Sequence, residues 1–385
     1  MAYVPTKPPT HTPPIQWDWL QTGDHAFAAM EHAIQHAHTS VDLETYIYTD
    51  SPPGHRIRNA LVQAAQRGVH VRTLIDSFGS LYLSDSFWND LRNAGGQVRW
   101  FNPLNLHHFN IRNHRKLLVV DNSKAFIGGF NITDNFTGDG IRQGWRDLGL
   151  LLHGPAVPDL TQSFNTLFQL ADFRHRKPRP LQRPLANRKS TIHGTQVITS
   201  GPGRPPHPVR QQLRSDLRHA HSVKIISAYF LPPGRLLRAL QRVSRRGGSV
   251  QLILPGKSDV PFLQSATRGL YGRLLRSHIQ ISEYQPQILH TKFILIDQAL
   301  YLGSANLDRR SLGINYELLI RFTHPDILHQ ALNIFDAHAS QSQPVTRQTW
   351  QKSRTLWERL KSRLACTLFA RLDPHLTRYQ LHTPK

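Results

Sequence analysis

Two short stretches of this chain place the same residue types at the same spacing. His114, Lys116 and Asp121 stand in NHRKLLVVD and are followed by Gly128, Gly129 and Asn131 in IGGFN; His290, Lys292 and Asp297 stand in LHTKFILID and are followed by Gly303, Ser304 and Asn306 in LGSAN. One His-x-Lys-x-x-x-x-Asp pattern is a weak signal, but two copies with the same trailing Gly-Gly/Ser-x-Asn are specific. Residues two apart on a strand point to one face, so His114 projects with Lys116 and His290 with Lys292. Bringing the two faces together surrounds one small volume with two imidazoles, two ammoniums and two amides. That set suits a phosphodiester. Ammonium and amide groups hold its non-bridging oxygens and stabilise the charge that develops on them. One histidine can attack phosphorus while the other protonates the departing alcohol and deprotonates the incoming one. Such an imidazole needs an acid on its other nitrogen. Asp147 in GWRDLGL and Glu317 in NYELLI are the candidates, the alternative for either being an ordinary surface acid. Asp121 and Asp297 lie five residues past their lysines, an odd offset. They are therefore expected to point away from the pocket and to do structural work by pairing with a basic or backbone donor. The spaced histidines lack accompanying Cys or carboxylate ligands, which disfavours zinc, and no metal or cofactor is expected. His107, His108, His153 and His193 carry no motif around them and are read as surface or core residues.

The elements that must position these groups recur in the two halves. Residues 40–76, SVDLETYIYTDSPPGHRIRNALVQAAQRGVHVRTLID, and residues 222–254, SVKIISAYFLPPGRLLRALQRVSRRGGSVQLIL, follow one order. Ser-Val opens a β-rich run, Pro-Pro-Gly precedes a helix with apolar residues at i, i+3, i+4 and i+7, and a glycine precedes the next strand. Strand, helix, strand with short connections implies a parallel pair with a crossover helix, hence an α/β sandwich. The apolar runs after each lysine, LLVV and FILI, mark strands buried on both faces. The expected fold class is α/β, with two similar sandwich domains and a pseudo-two-fold active site between them. A flexible segment is expected over 1–15, the first domain over 16–173, a basic Pro-rich linker over 174–191, the second domain over 192–344 and a basic tail over 345–385.

Charge is divided unevenly. The net charge of +22 arises from 13 Lys+Arg against 15 Asp+Glu in residues 1–173 but 34 against 10 in residues 174–385. Such one-sided basicity points to a polyanionic partner, either nucleic acid or an anionic membrane surface. Bases would call for stacking platforms, and the aromatic residues are not interleaved with the basic clusters except in the tail, which argues against nucleic acid. A length of 385 residues allows two ordinary domains with a substantial core. No apolar run approaches the roughly 18 residues of a spanning helix, and the Pro-rich start lacks the pattern of an export signal. The single cysteine, Cys366, leaves no intramolecular disulfide and fits a reducing compartment.

The motif residues are those that define the phospholipase D superfamily, and the surrounding text resembles its cardiolipin synthase branch, in the form without N-terminal membrane helices. The likeness runs through LETYIY, RGVHVRTLIDSFGS, RNHRKLLVVD, WRDLGLLLHGPAV, SAYFLPP, LPGKSD, LHTKFILID and LGSANLDRRSLGINYEL. The resemblance implies a phosphatidyltransferase: phosphatidylglycerol gives a covalent phosphatidyl-histidine, glycerol leaves, and the phosphatidyl group passes to a second lipid alcohol. It implies His114 as nucleophile, His290 as acid and base, and no metal ion. The same chemistry with water as acceptor would be a phospholipase D-type hydrolase, and with a nucleic-acid diester a nuclease. The implied partners are an anionic phospholipid and a membrane surface bound peripherally from the cytoplasm, with the active site complete in one chain and the oligomeric state left open. Over residues 350–372 a helical projection gathers Trp350, Trp357, Leu360, Leu364, Leu368 and Leu372 on one side, flanked by Lys352, Arg354, Arg359, Lys361 and Arg363. Such a helix either lies in an anionic interface or packs on the second domain.

Overall fold

The computed structural model describes residues 15–103, 111–171, 194–202 and 207–352. Among the described residues fifteen strands form two sheets. In the first half these are β1 (Gln16–Leu20), β2 (Ser40–Thr45), β3 (His70–Asp76), β4 (Gln97–Phe101), β5 (Leu117–Val120), β6 (Lys124–Gly128) and β7 (Gly149–His153). The second half adds β8 (Thr195–Ser200), β9 (Ser222–Ser227), β10 (Ser249–Pro255), β11 (Gln280–Tyr284), β12 (Lys292–Ile296), β13 (Ala299–Gly303), β14 (Glu317–Phe322) and β15 (Ser342–Pro344). The first sheet has the order β1-β7-β6-β5-β2-β3-β4 and the second, read in the same sense, β8-β14-β13-β12-β9-β10-β11-β15. Apart from β15 the orders are the same with every strand advanced by seven, so the duplication read in the sequence is a duplication of topology. Strands β2, β3 and β4 run parallel, as do β9, β10 and β11, while the motif strands β5 and β12 join their sheets antiparallel.

The crossover helices form for local reasons that the sequence shows. Helix Pro52–Gln66 starts with prolines in its first turn and buries Ile57, Ala60, Leu61 and Ala64, one stripe at helical spacing, before Gly68 at φ 88° ends it. Its counterpart Gly234–Arg245 buries Leu236, Leu237, Leu240 and Val243 and is closed by Gly247 at φ 91°. Both motif strands are buried on two faces. Leu117 and Val119 look into a core shared with Phe293 and Leu295 of the other sheet, while Leu118 and Val120 pack in the outer core beneath helix Pro52–Gln66. Ile294 and Ile296 do the same in the outer core of the second half. Helices Val157–Gln169 and Pro325–Ser340 contribute Leu160, Phe164, Ile327 and Phe335 to the shared core, so the two domains form one continuous interior. At about 1.5–3 kcal/mol per fully buried large side chain, this common core fixes the two sheets relative to each other.

The motif aspartates tie each sheet at the far end of its motif strand. Asp121 takes a left-handed backbone, φ 52°, and its carboxylate accepts from the backbone N–H of Thr39 at 2.7 Å, Ser40 at 3.0 Å and His38 at 3.1 Å. Asp297, φ 45°, accepts in the same way from Ser222 at 2.7 Å and His221 at 2.9 Å. Each acid thus caps the turn entering the neighbouring strand, β2 or β9.

Ile15, placed by the sequence reading in a flexible segment, is buried against the shared core. The linker 174–191 and the bulk of the tail lie outside the described residues. Within them, helix Arg347–Lys352 sets Trp350 on Tyr271 with ring centroids 4.8 Å apart. Asp121→Ala leaves three backbone donors without their acceptor, and we expect a loss of about 2 kcal/mol in unfolding free energy by urea titration with an unchanged circular dichroism spectrum.

Candidate active site

His114, Lys116 and His290 lie just ahead of β5 and β12, in extended lead-ins, and Lys292 opens β12. The sequence reading had put all four on strands. The lead-ins leave their own sheets because their backbone groups pair across the domain boundary. Asn113 bridges Tyr316, and Arg146 bridges Leu289. His114 N–H donates to the Tyr316 carbonyl at 3.0 Å and Tyr316 N–H to that of Arg112 at 2.9 Å. On the other side His290 N–H donates to the Arg146 carbonyl at 2.7 Å and Arg146 N–H to that of Ile288 at 2.8 Å. Glu317 directly follows Tyr316, and Asp147 directly follows Arg146. These bridges therefore deliver each acid to the histidine of the opposite half.

The result is a crossed pair. His114 Nδ1 stands 3.0 and 3.1 Å from the Glu317 carboxylate oxygens, and His290 Nδ1 stands 2.6 Å from Asp147 Oδ2. A carboxylate at Nδ1 holds the ring proton there and leaves Nε2 with its lone pair. Each acid is itself held. Asp147 Oδ1 accepts from Leu148 N–H at 2.7 Å, and Glu317 accepts from the Ser304 hydroxyl. The trailing Gly-Gly/Ser motif now has a steric meaning. A Cβ at Gly129 would fall 2.3 Å from Asp147 Oδ1, whereas the equivalent Ser304 uses its side chain to bond Glu317.

Lys116 Nζ donates to the His114 carbonyl at 2.7 Å and lies 5.2 Å from the Tyr46 ring centre. Lys292 Nζ sits 2.8 and 3.1 Å from Nδ1 and Nε2 of His290 and also bonds the His290 carbonyl. Asn131 Oδ1 accepts from Ile47 N–H at 3.2 Å, while Asn306 Oδ1 is buried without a hydrogen-bond partner among the described residues. Asp121 and Asp297 stand apart from this cluster.

Sequence reasoning missed the aromatic wall. Tyr46 meets the His114 ring edge-on at 5.0 Å, and Phe136, Trp145 and Tyr229 surround His290 at 5.3, 5.6 and 6.4 Å between ring centres. Tyr46 and Tyr229 follow β2 and β9, the neighbours of the motif strands, which is the signal that would have found them. Also missed were two acid–arginine pairs on the His114 side: Arg115 with Glu44 at 3.0 Å, both fully buried, and Arg112 with Asp76 at 3.5 Å.

Burial and crowded cations set the electrostatics. Burial pushes the His114 imidazole down to about 4, with Lys116 and Lys292 adding to it against the pull of Glu317. Burial, then Lys292 and Lys116, press His290 well below its ordinary value. Lys116 falls to about 7 through burial and the repulsion of Lys292, and Lys292 to about 8 through burial that Asp147 only partly offsets. Burial lifts Asp147 to about 6 against Lys292. For Glu317 burial acts upward, but the neighbouring His114 and Lys116 outweigh it and hold the carboxyl low. The site therefore presents two neutral imidazoles beside lysines that bind protons more weakly than usual.

The architecture has solved counterparts. The crystal structure of phosphatidylserine synthase from Haemophilus influenzae Rd KW20 superposes with a TM-score of 0.73 over 96% of this chain and 95% of that one, at 13% identity. Polyphosphate kinase from Porphyromonas gingivalis follows at a TM-score of 0.60, over 87% of this chain and 49% of that one, at 14% identity. Fold and paired motif together define a duplicated phospholipase D-like α/β scaffold. The family described as cardiolipin synthase, PLD-like domain matches residues 30–169 and 213–339, and the chain belongs to it. It is 32% identical over 334 residues to the cardiolipin synthase of Geobacillus thermodenitrificans, covering 85% of this chain and 66% of that protein. Identity is likewise 32% to the major cardiolipin synthase ClsA of Bacillus subtilis, over 89% and 73% of the two chains. Cardiolipin synthase B of Salmonella typhimurium is 32% identical, over 95% and 90%. The chain thus spans about two thirds of the length of the Geobacillus protein.

Two measurements test the site as built. Gly129→Ala forces its methyl against the Asp147 carboxylate, so kcat in any turnover assay should fall by at least about a hundredfold while unfolding free energy drops by only about 1–3 kcal/mol. The second concerns pH. Because the folded-state value of His114, about 4, lies below its ordinary 6.5, the unfolded chain binds more protons between those limits. This group's contribution is complete above pH 6.5 and is lost as pH falls toward 4. Replacing His114 by Gln should flatten the dependence of stability on pH across that window.

Proposed function

We propose that this chain is a cardiolipin synthase-like phosphatidyltransferase that works through a phosphatidyl-histidine. The observation that carries the reading is the crossed pairing of two imidazoles with two buried carboxylates beside two lysines. His114 Nε2 attacks the phosphorus of phosphatidylglycerol, forming an N–P bond as the P–O bond to glycerol breaks. His290 Nε2 delivers a proton to the departing glycerol oxygen. Lys292, 3.1 Å from that nitrogen and depressed to about 8, is placed to supply it. The second half-reaction runs in reverse sense: His290 takes the proton of a second lipid alcohol, whose oxygen attacks phosphorus and frees His114. Lys116, Lys292 and the amides of Asn131 and Asn306 stabilise the charge on the non-bridging oxygens, and the unpartnered Asn306 fits a group that acquires its partner from substrate. Asp147 and Glu317 fix tautomer and orientation and stabilise whichever imidazolium forms. Asp121 and Asp297 serve the fold. The partner is an anionic phospholipid in a membrane reached peripherally from the cytoplasm; among the described residues no helix is long and apolar enough to cross a bilayer.

The test is product analysis with purified protein and vesicles of labelled phosphatidylglycerol. Cardiolipin and glycerol are the expected products. Phosphatidic acid alone would replace the reading by a hydrolase, and cleavage confined to added DNA by a nuclease. His114→Ala and His290→Ala should each lower turnover by about 10⁴-fold or more with the fold intact, and Glu317→Gln by about 10²- to 10⁴-fold. Appreciable turnover in either alanine variant removes the two-histidine mechanism.

A further inference from the structure

Among the described residues the large apolar side chains with substantial exposure are Phe78, Leu81, Tyr82, Ile141, Val260, Phe262 and Leu332, with Tyr82 98% exposed. All but Leu332 fall on three segments: the loop 77–84 after β3, the loop 137–145 before Arg146, and residues 256–262 after β10. Strands β3 and β10 hold the same place in the two halves, and each is parallel to the strand, β2 or β9, that leads to Tyr46 or Tyr229. Their loops therefore leave the sheets at the edge where the crossed histidines sit.

Direct contacts tie all three segments to the site. The Phe78 ring centre lies 5.2 Å from the guanidinium carbon of Arg112, and the Ser80 hydroxyl donates to the Tyr46 carbonyl at 3.2 Å. Asp259 accepts from the Tyr229 hydroxyl at 2.6 Å. Gln287 Nε2 donates to the Arg142 carbonyl at 2.8 Å, three residues before His290. The acids of these loops are engaged: Asp139 accepts the backbone N–H of Ile141 and Arg142, and Asp259 is held by Tyr229. Arg142 and Lys257 are exposed and lie on the same segments as Ile141 and Val260, with Lys257 Nζ 3.5 Å from the Pro286 carbonyl.

We propose that these three loops form one docking face that seats the mouth of the site on an anionic bilayer, with Leu81, Tyr82, Ile141, Val260 and Phe262 entering the interface and Arg142 and Lys257 meeting lipid phosphates. The inference rests on the phospholipid reading above and specifies how that substrate arrives. His114 and His290 are only 8% and 4% exposed, so a lipid phosphate must leave the bilayer plane to reach them. An apolar rim with cations around the entrance offers the acyl region a continuous apolar path during that step. A solvent-directed tyrosine with neighbouring leucine and phenylalanine has the composition of an interfacial anchor, in which the ring body enters the apolar zone and the hydroxyl stays wet.

The experiment is flotation of the full chain with phosphatidylglycerol-containing vesicles, compared with the Leu81→Ser/Tyr82→Ser/Phe262→Ser variant. At roughly tenfold in partition constant per apolar side chain, the triple change should weaken binding by at least about a hundredfold. Arg142→Ala and Lys257→Ala should each weaken it by about fivefold, and only on anionic vesicles. Turnover of short-chain phosphatidylglycerol dispersed as monomers should stay at the wild-type level in all of them, which also shows that the variants fold. Wild-type flotation by the triple variant overturns the proposal, as does a wild-type dimer that this variant converts to monomer, since the face would then join two copies. Binding is read without turnover. A wild-type protein that makes neither cardiolipin nor phosphatidic acid, yet whose flotation drops as expected in the variant, retires the proposed reaction and leaves the docking face standing.

Discussion

Everything in this molecule depends on each histidine being held by a carboxylate from the other half of the chain. His114 takes Glu317 from 203 residues away and His290 takes Asp147 from 143 residues away. Neither half carries an oriented imidazole on its own, so the domain interface and the reactive centre are one structure. Short backbone bridges at Asn113–Tyr316 and Arg146–Leu289 set the register of that interface, and the core shared by both sheets keeps it from shearing. Geometry at the 3 Å scale is therefore inherited from packing spread over the whole interior.

Apart from the extra edge strand β15 the two halves share one topology, and they differ in detail around the two histidines. Beneath His114 the lead-in is anchored by Arg115 to Glu44, by Asn113 to the same carboxylate at 2.7 Å, and by the Asn113 N–H to Asp76 at 2.8 Å. The second lead-in has Thr291 where the first has Arg115, and it bonds the Arg146 carbonyl at 3.2 Å. A fully buried ion pair contributes little net stability but resists displacement, because moving one partner strands the other. Lys116 reaches the backbone of its histidine, whereas Lys292 reaches the ring nitrogens. One imidazole is thus clamped from below and the other has a lysine at hydrogen-bond distance from its ring, an inequality consistent with the division of roles proposed above.

Much of this was legible in the sequence because it is written in local patterns. Helical periodicity with prolines before and glycine after, apolar runs behind each lysine, and the paired motif with its spacing led to the duplicated α/β fold. They also led to the gathering of His114, His290, Lys116, Lys292, Asp147 and Glu317. Asp121 and Asp297 do stand away from the pocket, but because each sits past the end of its strand in a left-handed turn rather than through the odd offset along a strand. The crossing was not legible, since nothing local distinguishes a carboxylate that serves its own half from one that serves the other. Nor was the departure of the histidines from their strands, which follows from hydrogen bonds to a partner segment far away in the chain. The Glu44–Arg115 pair was hidden for the opposite reason: an acid in a β-rich run reads as solvent-facing until the sheet is covered on both sides.

The electrostatics of the buried cluster bear on the proposed reaction. Two lysines depressed to about 7 and about 8, an aspartic acid raised to about 6 and two imidazoles pressed toward neutrality describe a buried volume where cationic groups crowd one another. Low dielectric makes that crowding costly, and it is relieved by whatever brings negative charge to the centre. A phosphodiester anion there would raise the proton affinity of both lysines. In the proposed reaction, binding of a phosphodiester would then favour a protonated Lys292, the group placed to supply the proton for the leaving alcohol. Burial between the two sheets would make that coupling strong, because it lowers the dielectric around every charge in the cluster.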